Sequence, residues 1–158
     1  MMLARGLRRV QRFLGATSQG NNDKLTVFFL KKAAAKGDGW SQNNLANYYL
    51  LGTGVDQSVS TAMDLYLRAA GNSVMSAYLN LGQIYYEGKY VERNDQESAI
   101  WFLAAANTGD PTGEYRLGLM YYDGIGIEKD HDKALFYLKS AKNKGIVVNE
   151  DILDKLGI

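Results

Sequence analysis

The chain has 158 residues, 46% hydrophobic and 22% charged, a composition that suits one compact domain or a short repeat array. It has no cysteine, which excludes disulfides, thiolate metal sites and a cysteine nucleophile, and its single proline, Pro111, leaves long helices possible. The net charge of +1 hides an asymmetry: Arg5, Arg8, Arg9 and Arg12 precede the first acid, Asp23, so the remainder carries 14 basic and 17 acidic residues, net −3, where a nucleic-acid-binding body would be basic.

Residues 1–20 include "LARGLRRVQRFLG", with an apolar stripe at Leu3, Leu7, Val10 and Leu14. A secretory signal needs a continuous apolar core of about 7 residues, and the arginines interrupt every candidate. A mitochondrial targeting segment shares the basic, acid-poor, amphipathic character and stands as the alternative. Register favours a third reading: Gly15 and Ala16 fall close to 36 residues before Gly52, the place of a degenerate first helix. The expectation is a capping helix over 1–20 that covers Val27, Phe28 and Leu30. Location is then cytoplasmic, with the mitochondrial matrix following from the targeting alternative. No apolar run anywhere approaches the ~18 residues that span a bilayer, so no membrane span is expected.

Residues 21–40 read as a half-repeat helix, "TVFFLKKAAAKG", with Asn22 as its N-cap. From there one phrase recurs three times, in "LANYYLLGTG", "YLNLGQIYYEG" and "YRLGLMYYDG". Its columns are Leu45, Leu81 and Leu117; Ala46, Gly82 and Gly118; Tyr49, Tyr85 and Tyr121; Gly52, Gly88 and Gly124, each 36 residues apart. That period belongs to stacked helical hairpins rather than to a single core. Leucine, a small residue and tyrosine at relative positions 0, +1 and +4 share a helix face, and the small residue admits a close neighbour.

A short link after each glycine leads to a second helix, with Ser58, Asp95 and Asp130 as N-caps four residues before Ala62, Ala99 and Ala134. Large apolar residues follow at +3 and +4, and alanine at +7 gives Ala33, Ala69, Ala106 and Ala141. Gly37, Gly71, Gly109 and Gly145 then suit the left-handed position that ends a helix. In this alignment the second copy has an extra loop residue, and Tyr90 replaces its second turn glycine. The repeats span 41–72, 73–109 and 110–145, and 146–158 forms a C-terminal capping helix. There "NEDILDKL" offers Asn149 as N-cap and Ile152, Leu153 and Leu156 as an apolar face.

These residues resemble the Sel-one-like repeat family of the tetratricopeptide superfamily. Its pattern is small-x-aromatic-x-Leu-Gly-x-x-Tyr-x-x-Gly-x-Gly-Val before a helix ending in alanines and glycine, and the third copy matches almost throughout. Coverage runs from about Asn22 to Gly145, with Ala46 and Tyr90 as departures. The resemblance implies an all-α, right-handed superhelical array of antiparallel hairpins, and a non-catalytic adaptor that is a monomer outside its complex. By family analogy a specific version of the adaptor is a bacterial immunity or regulatory partner that neutralises an effector by capping it, and the rival class is an enzyme acting on cell-wall or β-lactam compounds, as proposed for some members. A mitochondrial assembly role would follow from the targeting reading of residues 1–20.

The residues give catalysis little support. The single histidine, His131, lies in a helix cap between Asp130 and Asp132, where neighbours do not face one another. No metal or cofactor site is expected. "GTGV" and "GIGI" follow helices rather than strands and do not continue to a phosphate-binding motif, so they are turns. Asp130 with Asp132 and Asp151 with Asp154 occupy capping positions that favour acids. No Ser-x-x-Lys or Gly-x-Ser-x-Gly pattern occurs.

By resemblance to the superfamily, partner contacts fall on inner columns of the first helices. These are Asn43, Leu79 and Tyr115; Asn47, Gln83 and Leu119; Leu50, Tyr86 and Tyr122; Leu51, Glu87 and Asp123. Amides, tyrosines, leucines and two acids suit a peptide or protein segment, and nothing marks nucleic acid as a partner. The columns hold no lysine or arginine; Arg116 lies one column away. Two readings of Tyr86, Glu87, Tyr122 and Asp123 stand side by side: partner contacts, or the repeated framework alone.

Overall fold

A computed structural model describes residues 20–157. They form helices joined by short turns, and no strand occurs among them. The described residues divide into two compact units, one ending at Ala69 and one beginning at Ala70. The first unit contains α1 over residues 20–35, α2 (Gly39–Leu51) and all but the last two residues of α3 (Val59–Gly71). The second contains α4 (Met75–Glu87), α5 (Asp95–Asn107), α6 (Pro111–Asp123), α7 (His131–Asn143) and α8 (Glu150–Leu156).

Each of α2 to α7 is 13 residues long, and each first helix stops at a glycine for a local reason. Gly52, Gly88 and Gly124 have φ of 69°, 64° and 76°, in the left-handed region where a Cβ clashes. The residue five positions on also folds back over each: a Cβ on Gly88 would lie 2.6 Å from the Cβ of Arg93, and one on Gly52 3.1 Å from that of Gln57. The chain then turns into the second helix, whose first amide returns to the tyrosine column. Ser58 N–H donates to the Tyr49 carbonyl, Asn94 to Tyr85 and Asp130 to Tyr121, at 2.9, 3.0 and 3.0 Å.

That last series corrects the expected register of the second repeat. Asn94, not Asp95, caps α5, its Oδ1 accepting from Glu97 N–H at 3.0 Å. Ser98, fully buried, therefore takes the place held by Ala62 and Ala134, and Phe102 and Ala105 follow at +4 and +7. No extra loop residue is present. The positive-φ positions confirm the unbroken period: Gly37, Gly109 and Gly145 are joined by Ser73 at φ 59°, while Gly71 remains helical. Residue type points to Ala99 and Gly71, whereas backbone geometry gives these places to Ser98 and Ser73, one and two positions away.

Two other caps also need restating. Asn22 lies inside α1, where its carbonyl accepts from Thr26 Oγ1 at 2.9 Å. First helices carry caps that the sequence reading overlooked: Asp38 accepts from Ser41 N–H at 2.8 Å and Asp110 from Gly113 N–H at 2.7 Å, whereas Val74 makes no side-chain cap. Ser58, Asp130 and Asn149 cap α3, α7 and α8 as expected.

In the second unit successive helices pack α4 on α5, α5 on α6 and α6 on α7, the antiparallel hairpin repeat of the all-α class. One cluster gathers Ala99, Phe102, Ala106, Leu117, Met120, Tyr121 and Ala134. A second joins Leu138, Val148 and Leu153. Leu153 lies 36 residues after Leu117 and is fully buried, so α8 supplies a fourth member of the leucine column from a shortened first helix. In the first unit Val27, Leu30, Leu45, Ala46, Leu50, Ala62, Leu65 and Tyr66 are buried. The helix expected over 1–20 falls almost wholly outside the described residues; of its expected targets, Val27 and Leu30 are buried and Phe28 is 50% exposed.

Candidate protein-binding face

Inner-column residues reach different environments. Asn43 and Leu50 are buried, which leaves a partner no surface to touch there. Asn47 Oδ1 accepts from the Tyr66 hydroxyl, while Leu51 is 63% exposed. Asn47 and Leu51 share a shallow depression of the first unit with Asp23, Tyr48 and Thr53.

The second unit holds the better-formed site. Tyr86 from α4 and Leu119 and Asp123 from α6 line a small cavity of about 60 Å³ together with Arg116, over Phe102, Met120 and Ile125. Phe102 and Met120 are core residues, so the floor is apolar and fixed. Arg116, set outside the inner columns by the sequence reading, is at the rim. Residues 116, 119 and 123 are spaced by three and four, which puts them along one stripe of α6.

Both tyrosines carry a cation on the ring. The Arg93 guanidinium lies 5.2 Å from the Tyr86 centroid and Lys129 Nζ 5.6 Å from that of Tyr122. Arg93 and Lys129 are equivalent, 36 residues apart. Arg93 is itself anchored by Asp95, Nε to Oδ1 at 2.8 Å. Tyr86 and Tyr122 also pack against the main core cluster, so they belong to the framework; Tyr86 additionally faces the cavity. Tyr122 meets the exposed His131 ring edge-on at 6.0 Å.

The remaining columns are partly occupied. Gln83 Nε2 donates to Glu87 Oε1 at 2.6 Å, one turn along α4. Leu79 packs on the main cluster. Tyr115 and Leu119 pack on the C-terminal cluster with Ile152 and Leu156, so α8 covers part of the α6 face. Among the described residues, no group of three or more His, Asp or Glu side chains is placed to hold a metal ion. No helix among them is long and apolar enough to cross a membrane.

Four segments of the chain, residues 12–38, 41–73, 76–110 and 111–146, match the Sel1 repeat family. The chain is a Sel1 repeat protein. No curated protein matches it. Among solved structures, this Sel1 repeat protein is similar to a Sel1 repeat protein from Oxalobacter formigenes, with 32% identity and a TM-score of 0.71 over 82% of this chain and 96% of that one. It is also similar to a protective antigen of uropathogenic Escherichia coli displaying an SLR fold, 29% identical with a TM-score of 0.73 over 76% of this chain. The chain spans only 26% of that antigen's length. The cysteine-rich protein B of Helicobacter pylori, 20% identical over 86% of this chain and 96% of its own, shares the fold with a TM-score of 0.62. This Sel1 repeat protein keeps the fold without any cysteine.

Proposed function

We propose that this chain is a non-catalytic adaptor that holds a segment of a partner protein against α4 and α6. The observation that carries the reading is the convergence of Tyr86, Leu119 and Asp123, from three of the inner columns, with Arg116 around one apolar cavity. Apolar floors with polar rims are the anatomy of protein-binding patches, and repeat arrays present such patches on their first helices.

The test is affinity capture with the full chain from extracts of the cells that produce it, followed by crosslinking to locate the contact. Tyr86→Ala combined with Tyr122→Ala is compared with the unaltered protein after circular dichroism has shown both to be helical. Loss of a specific partner, with crosslinks on α4 and α6, supports the adaptor. Retention of every captured protein by the double variant refutes this face as the binding site.

A further inference from the structure

The cavity beneath Tyr86 has an electrostatic feature that packing does not require. Arg116 and Asp123 stand at its rim, and neither pairs with the other or with any other described side chain. Both charges line the same apolar cavity. Two opposite charges seven residues apart on α6, beside one apolar cavity, form a dipolar frame.

Resting on the adaptor reading, we propose that this frame selects an extended partner segment that places one aliphatic side chain in the cavity, an acid against Arg116 and a base against Asp123. Seven residues of helix separate the two rim positions, about 10 Å along α6. In an extended segment, residues two before and two after a central one lie on the same face, about 13 Å apart. Flexible Arg, Lys and Glu side chains absorb the difference. The 60 Å³ cavity has room for the tip of one aliphatic side chain, not for an aromatic ring. Complementary charges at a rim add modest affinity and mainly set orientation and partner choice. For a segment running parallel to α6 the preferred motif is therefore acid-x-aliphatic-x-base, and for one running antiparallel it is the reverse.

A phage-displayed library of random 12-residue peptides tests this, selected in parallel on the full-length protein and on the doubly exchanged Arg116→Asp/Asp123→Arg variant. Enriched peptides are then synthesised and their binding measured by fluorescence polarisation. The expected result is one acid/base order around an aliphatic residue for the unaltered protein and the reverse order for the exchanged variant, with about a three- to tenfold preference in each case. Tyr86→Ala, checked for helicity, should weaken both classes. Peptides that depend on Tyr86 but show the same order with both proteins overturn the charge frame and leave the adaptor reading intact. Failure to enrich any common motif, or binding indifferent to Tyr86, overturns the inference outright, while the adaptor reading stands or falls on its own capture experiment.

Discussion

Leu138 of α7 packs directly onto Gly118 of α6: a Cβ built on Gly118 would lie 2.8 Å from Leu138 Cγ and 3.2 Å from its backbone nitrogen. Phe102 bears the same relation to Gly82, at 2.8 Å. The small residue in the phrase is thus the point where the two helices of a hairpin touch. Gly118→Val should cost about 1 to 3 kcal/mol through overpacking. A thermal melt followed by far-ultraviolet circular dichroism measures it, and an unchanged midpoint would show that the contact yields freely.

Ser73 sits at φ 59° where the equivalent positions hold glycine. A left-handed conformation costs an L-residue about 1 to 2 kcal/mol, and glycine's greater freedom in the unfolded chain returns part of that. Ser73→Gly should therefore raise stability by about 0.5 to 1 kcal/mol, read as a higher urea midpoint with the slope unchanged. A lower midpoint would mean that the serine side chain contributes more than its backbone strain costs.

Glu114 is almost fully buried, and Lys144 reaches it from 30 residues on, Nζ to Oε1 at 2.8 Å, while also donating to the Gly109 carbonyl at 3.0 Å. Lys144→Met leaves a buried carboxylate uncompensated and should destabilise by about 1 to 3 kcal/mol. Adding Glu114→Gln should recover part of the loss, because the amide needs no counter-ion. A double-mutant cycle gives the coupling, and additive losses would show the pair to be idle.

Hydrogen bonds from the Lys133 amide and side chain hold the Asp130 carboxyl below its ordinary value of 3.8, and the Ser41 side chain and amide do the same for Asp38. A carboxyl depressed on folding contributes stability above its unfolded pKa and loses it as pH falls through the lower folded value. The melting temperature should accordingly fall below about pH 4. In Asp38→Asn/Asp130→Asn the amide oxygens can still cap the helices, so the variant should lose less on acidification. Parallel acid profiles for the two proteins would exclude these caps as contributors.

The repeat itself was legible because its columns are fixed by local and near-local physics. Glycine marks left-handed turns, a small residue marks the hairpin contact, and leucine marks the core, so Leu45, Leu81 and Leu117 announce helices before any packing is known. The same logic failed where residue type misleads. Ser98 holds a buried place that Ala99 was expected to fill, because its hydroxyl donates to the Gly82 carbonyl at 2.8 Å and so satisfies a polar group inside the core. Ser73 was invisible for the opposite reason, a backbone conformation that its side chain does not advertise.

The candidate face shows the same division. Spacing along one chain determined the helical period and the alternation of helices and turns, while the inner positions were assigned by resemblance to the repeat superfamily. Tertiary structure decided which of those positions remain reachable. Asn43 and Leu50 are buried and Gln83 is tied to Glu87, whereas Arg116, from a neighbouring column, reaches the rim beside Asp123. Periodicity reports the direction in which a side chain leaves its helix; whether another helix already covers it depends on the packing of residues tens of positions away.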